Sequence, residues 1–345
     1  MRSKLPPDWN PPTDWRSVRT IDAHTAGEPL RIVVDGPEIP GETVAEKRQF
    51  AQGNQDALRT ALMWEPRGHA DMYGCILTEP ATDDADFGVL FLHNAGWSTM
   101  CGHGIIAVTK VVLATGLLPS DAPETIVRID TPVGLVTATA RIADGHVSSV
   151  RFANVPSYVV ALDRTVEVSG IGRVRYDLAF GGAYYAYVNA ADFGLQCVPS
   201  EVDRLVDIGM RVKRAVAGAT ELVHPTDKSL GFLYGTIFVG QALSDQADSR
   251  NVCVFAEGEV DRSPTGTGVS GRLALHHARG EIRLGETHTV ESIIGTRFTG
   301  RVLEETTFGE HAAIVPEVEG TAHITGAHTF WIDPDDPLSE GFLVR

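Results

Sequence analysis

A cysteine followed by glycines just ahead of a helix is a reactive arrangement, and Met100-Cys101-Gly102-His103-Gly104 is such a segment. The first backbone N–H groups of a helix have no partner within it, and the helix dipole is positive there. Glycines let a ligand approach that backbone closely, and the same position favours a thiolate over a thiol. One segment therefore offers an anion cradle and a base, with His103 placed to assist a proton transfer. A buried structural cysteine before a packing glycine fits the motif equally well. Ser263-Pro264-Thr265-Gly266-Thr267-Gly268 is a second turn of this kind. Two such helix ends facing each other would grip a carboxylate from both sides. They would also stabilise the charge that grows on it when a neighbouring α-proton leaves.

Other readings of these turns are weaker. Both fit the dinucleotide fingerprint, at 266–271 and 102–107, with Glu286 near the expected ribose distance. That fingerprint should directly follow a strand, whereas seven to nine residues intervene here. Around the turns, Tyr73 and Phe255 are candidate walls for a ring-shaped substrate. Asp261, beside Arg262, is a candidate acceptor for a substrate ammonium. His24, Glu28, His69 and Asp71 read better as turn scaffolding. His276, His277, His311, His323 and His328 lack metal-site spacing, so no metal is expected.

The elements that must position these groups repeat. Aligned without a gap, the sixteen residues from Cys101 and the sixteen from Thr265 share four identities, at Gly102/Gly266, Gly104/Gly268, Ala114/Ala278 and Gly116/Gly280. Upstream, YGCIL at Tyr73 echoes YGTIF at Tyr234, and apolar runs (89–93 and 252–256) lead toward each turn. Short β-runs punctuated by Gly, Pro, Asp and Asn point to antiparallel hairpins. Helices are expected over 44–66, 102–116, 199–217 and 266–280. The helix after Cys101 is apolar nearly all round, with Lys110 its only charge, so it should be buried. The expected fold is α+β: two pseudo-symmetric lobes of sheet, each wrapped around a central helix. Residues 1–150 would form the first lobe and 151–325 the second, with the site in the cleft between them.

Composition bounds the partners. The chain has 345 residues, more than one core usually holds. Twenty-nine basic against 45 acidic residues give a net charge of −16, which disfavours nucleic acid and anionic membranes. An anionic substrate must then be held by local donors. No run approaches the ~20 apolar residues that span a bilayer. Four scattered cysteines make no disulfide framework, and a reducing cytoplasm is the expected location. Residues 1–16 read as a Pro-rich arm. The sequence leaves room for a homodimer.

These segments resemble the proline racemase family, which includes 4-hydroxyproline 2-epimerases and trans-3-hydroxy-L-proline dehydratases. The resemblance rests on HTAGEP (24–29), RGHADMYGCILTEP (67–80), MCGHG, DRSPTGTG (261–268) and the C-terminal HITGAHTFWIDPDDPLSEGF (323–342). It implies a fold similar to diaminopimelate epimerase, a tail (about 326–345) that returns to the first lobe, and chemistry without a cofactor. It also implies that Cys101 is the base, and that Gly102, His103, Asp261, Gly266 and Thr267 bind substrate. Racemases and epimerases of this family carry a cysteine in each turn. Here the second is Thr265, whose hydroxyl is too weak an acid–base group to replace a thiol, and this exchange resembles the dehydratases. Ala95 stands where the family leads one to expect an acidic residue.

Stereochemistry makes that reading coherent. In trans-3-hydroxy-L-proline the α-hydrogen and the 3-hydroxyl share one ring face, so one group, Cys101, could serve both. Elimination would give an enamine that tautomerises to Δ1-pyrroline-2-carboxylate. The alternatives are a racemase or epimerase with a substitute for the second thiol, and a non-catalytic amino acid binder.

Overall fold

A helix that is apolar on every side is stable only inside a wrap of other elements. The computed structural model, which describes residues 10–344, places Gly102–Ala114 in that position. Ile105, Ile106, Ala107, Val108, Val111 and Val112 are buried in one cluster with Phe91, Val127, Val136 and Phe152 from the surrounding strands. The second central helix, Gly266–Ala278, is buried from Gly266 through Leu275. Its Val269, Leu273 and Leu275 belong to the same cluster, with Val290, Phe298 and Val318.

The strands around each helix repeat one connection order. In the first half, Glu28–Asp35 runs parallel to Tyr73–Thr78, which pairs antiparallel with Phe87–His93. Phe87–His93 then runs parallel to Glu124–Thr131, and the chain continues antiparallel through Gly134–Ala143 and His146–Ala153. In the second half, Tyr184–Asn189, Leu233–Gly240, Ser249–Phe255, Thr287–Glu291, Arg297–Phe308 and His311–Gly320 pair in the same sense and order. Each central helix is thus the crossover between two parallel strands, as parallel neighbours require. Most pairs are the antiparallel ones expected of the sequence, and these parallel crossovers are the departure from it. Gly, Pro and Asn mark where strands end and say nothing of which strand lies alongside.

His311–Gly320 also pairs with His146–Ala153, which joins the two halves into one continuous sheet. Near the C-terminus, Ala322–Ile332 crosses to pair with Arg16–Thr25. The helix expected over 44–66 is two helices, Val44–Asn54 and Asp56–Met63, the first opened by a Thr43/Glu46 capping box. The arm expected over residues 1–16 falls outside the described residues as far as residue 9.

The central helices meet at their N-termini. A Cβ added to Gly102 would stand 2.9 Å from Gly266 Cα, and one added to Gly266 would stand 3.0 Å from Gly102 Cα. Only glycine at both positions allows that approach. Gly102→Ala and Gly266→Ala should each cost about 1–3 kcal/mol through overpacking. Gly218→Ala, in helix Val202–Ala219 with nothing within 4 Å of the added methyl, should gain about 0.5–1 kcal/mol. Denaturant unfolding of the three variants checks both signs.

Candidate active site

Cys101 is the N-cap of the first central helix, and its sulfur accepts the Gly104 N–H at 3.2 Å. A Cβ at Gly104 would lie 3.0 Å from that sulfur and 2.5 Å from the Phe91 ring, so glycine there keeps the thiol against the helix end. The His103 ring sits beside the thiol, with Nδ1 3.2 Å and Nε2 3.6 Å from the sulfur. Strand Arg16–Thr25 anchors the turn: Thr25 Oγ1 donates to the His103 carbonyl at 2.8 Å.

The second turn is held differently. Thr265, the residue before Gly266, has φ +66°, a left-handed conformation costly for a β-branched residue. Two bonds offset it. Thr265 Oγ1 donates to Asp261 Oδ2 at 2.8 Å, and Thr265 N–H donates to Ser263 Oγ at 3.1 Å. Asp261 Oδ1 in turn accepts the Ser263 N–H at 2.7 Å. Thr267 shares a 2.8 Å hydrogen bond with Tyr185 Oη, and Tyr187 Oη donates to the Gly268 carbonyl at 2.9 Å. The first-turn N–H groups of both helices have no intrahelical acceptor, and Thr265 does not cap its helix with its side chain.

Between the turns lies a small cavity of about 30 Å³, room for about one water. Every residue singled out for a site role in the sequence reaches it: Cys101, Gly102, His103, Tyr73, Phe255, Asp261, Thr265, Gly266 and Thr267. Tyr73 meets His103 edge-on at 4.8 Å between ring centroids, and Phe255 stacks on Tyr234 at 5.4 Å. Five lining residues were not foreseen: Glu28, Met100, Tyr185, Tyr234 and Cys253. The repeat carried a signal for Tyr234, which matches Tyr73. Glu28 sits in a motif read as turn scaffolding, and that reading is corrected here: it is buried and walls the cavity. His24, near the end of strand Arg16–Thr25, supports the turn that follows, its Nδ1 accepting the Gly27 N–H at 3.2 Å. Cys253 lay hidden in an apolar strand. Ala95 is not among the lining residues.

Burial dominates the electrostatics. The helix end was expected to lower the Cys101 pKa, and the Gly104 N–H does act that way. Burial outweighs it, and with the nearby charge of Asp261 the thiol is pushed well above its ordinary value. Burial also brings His103 down to about 4. The empty site thus favours a neutral thiol beside a neutral imidazole. A larger cleft of about 930 Å³ lies elsewhere on the second half, where Arg250 and Arg279 are ion-paired with Glu291 and Asp177. It has none of the two turns' residues on its walls.

The raised thiol gives a direct expectation. Alkylation of Cys101 by iodoacetamide should be slow at neutral pH and still climbing above pH ~9, whereas an unperturbed thiol near pKa ~8.5 levels off there. Pyrrole-2-carboxylate, flat and anionic, should shield Cys101 at every pH. Peptide mapping of labelled protein across pH checks both.

With this geometry in place, the chain was compared with known proteins. The profile described as proline racemase matches residues 20–343. A Colwellia psychrerythraea protein named trans-3-hydroxy-L-proline dehydratase is 47% identical over 341 residues, 98% of this chain and 96% of that one. A Burkholderia multivorans protein named 3-hydroxyproline 2-epimerase is 46% identical, covering 96% of this chain and 99% of its own. Among solved structures, a hydroxyproline epimerase from Agrobacterium vitis with bound trans-4-hydroxy-L-proline superposes with a TM-score of 0.88 at 34% identity, covering 95% and 96% of the two chains.

Proposed function

The chain belongs to the proline racemase family, and from that premise we propose that it dehydrates trans-3-hydroxy-L-proline to Δ1-pyrroline-2-carboxylate. The observation that carries the choice within the family is the pairing of Cys101 with Thr265 at the two helix ends. One turn offers a thiol, and the other offers a hydroxyl already donated to Asp261. Relatives named for this dehydration at 45–47% identity over nearly the whole chain support it.

In the proposed reaction the substrate carboxylate lies between the two first turns, against the N–H groups of Gly102, His103, Gly266 and Thr267. The helix dipoles there stabilise the charge that develops as the α-proton leaves. Cys101, acting as its thiolate and steadied by the Gly104 N–H, removes the α-hydrogen. The C3–O bond breaks on the same ring face, and the Cys101 thiol just formed gives its proton to the departing hydroxyl, which leaves as water and restores the thiolate. The C2=C3 enamine then shifts its proton to carbon 3 and becomes the Δ1 imine. Each step is assigned to groups of this chain, so no cofactor enters.

A second reading, epimerisation, has one specific observation in its favour. Cys253 also lines the cavity. Burial and the charge of Asp261 push that thiol well above its ordinary pKa, which weighs against it as a second base.

Two experiments decide. Cys101→Ser should lose dehydration by at least about 100-fold, the scale of general acid–base catalysis, while Cys75→Ala and Cys197→Ala keep it. A Δ1-pyrroline trap follows the product. L-proline has no 3-hydroxyl to lose, so in D₂O the wild type should return at most α-deuterated L-proline. Thr265→Cys should return some D-proline, because a thiol then stands in the second turn. D-proline from the wild type would establish the epimerase reading, and its loss in Cys253→Ala would assign the second base.

A further inference from the structure

Glu28 is a buried acid at the cavity that the proposed mechanism does not use. Its side chain is 1% exposed. Oε2 accepts the Arg262 N–H at 2.7 Å, while Oε1 is buried with no hydrogen-bond partner among the described residues. A buried, unsatisfied carboxylate oxygen costs free energy that some partner ordinarily offsets. The Arg262 guanidinium is not that partner. It lies 3.6 Å from Oε2, and its Nη1 donates to the Asp71 carbonyl at 2.7 Å. Asp261 is close enough to be the strongest charge acting on Glu28. Two buried acids therefore stand side by side, one contributed by each half of the chain.

We propose that Glu28 is the second acceptor for the substrate ammonium, paired with Asp261, and that this acid pair selects ring amino acids. The inference rests on the proposed function. A secondary ammonium in a ring carries two N–H bonds, one for each acid. A primary ammonium carries three, and the third would be left unpaired in a buried site, at a cost. The positive charge also favours the ionised form of Glu28 beside Asp261, which a substrate hydroxyl at Oε1 would not do. In the empty site, burial and the charges of Asp261 and Asp71 outweigh Arg262 and hold the Glu28 carboxyl protonated well above the usual range. Binding of the ammonium ionises it and releases a proton. Cys101 and His103 meet the carboxylate end, which every ligand of the series shares.

Calorimetric titration of the Cys101→Ser protein, with and without Glu28→Gln, tests this with two ligands. Trans-3-hydroxy-L-proline brings a ring ammonium. Pyrrole-2-carboxylate brings the same carboxylate with a neutral ring nitrogen. The glutamine amide oxygen can still accept the Arg262 N–H, and its NH₂ replaces Oε1 with a donor. The expected result is about tenfold or greater weakening for trans-3-hydroxy-L-proline, with pyrrole-2-carboxylate changed by less than about threefold. Equal weakening of both, or of neither, overturns the inference. Should Glu28→Gln fail to fold, the Cys101→Ser protein alone decides, by titration in buffers of different ionisation enthalpy. Trans-3-hydroxy-L-proline must release more protons than pyrrole-2-carboxylate, and equal release overturns the inference. No binding of trans-3-hydroxy-L-proline to the Cys101→Ser parent overturns the proposed function together with the inference. Binding that is indifferent to Glu28 overturns the inference alone.

Discussion

Two helix N-termini pressed together are electrostatically unfavourable, and the rest of the molecule exists around that contact. Gly102 and Gly266 approach until neither has room for a methyl group, so two positive dipole ends and their unpaired N–H groups share one small space. An anion relieves this, and a carboxylate with its two oxygens fits between two donors sets. The wrapping sheets, the continuous strand His311–Gly320 and the returning strand Ala322–Ile332 hold the helices in a position they would not take alone.

The same contact explains why the site is asymmetric in its chemistry though symmetric in its backbone. Duplicated connections bring matching turns to the cavity, and Tyr73 and Tyr234 to its walls. The difference lies in single side chains: a thiol in one turn, and in the other a threonine strained to φ +66° and tied to Asp261. A scaffold built for exchange of protons between two faces becomes, in this reading, a scaffold that works on one. Removing a hydroxyl from the face that loses the α-hydrogen requires nothing more.

Much of this was legible in the sequence. The glycines, the all-apolar helix and the repeat located both turns and the buried helices, because backbone approach and burial leave strong compositional marks. Parallel crossovers were missed, since strand pairing is a long-range property that no local run records. Glu28 was missed for a related reason. In HTAGEP it looks like any acidic turn residue, and only the fold brings it beside Asp261. The thiol pKa was misjudged in sign because a helix end is visible in sequence, whereas the depth of burial that outweighs it is not.

The claim on which the account turns is that elimination proceeds on one ring face. Side-by-side turnover of trans-3- and cis-3-hydroxy-L-proline, followed with a Δ1-pyrroline trap, tests it most directly. In the cis isomer the α-hydrogen and the hydroxyl lie on opposite faces. The account predicts product from the trans isomer and at least about 100-fold less from the cis isomer, whose leaving hydroxyl lacks a proton donor on its own face. Comparable rates for the two isomers would contradict it.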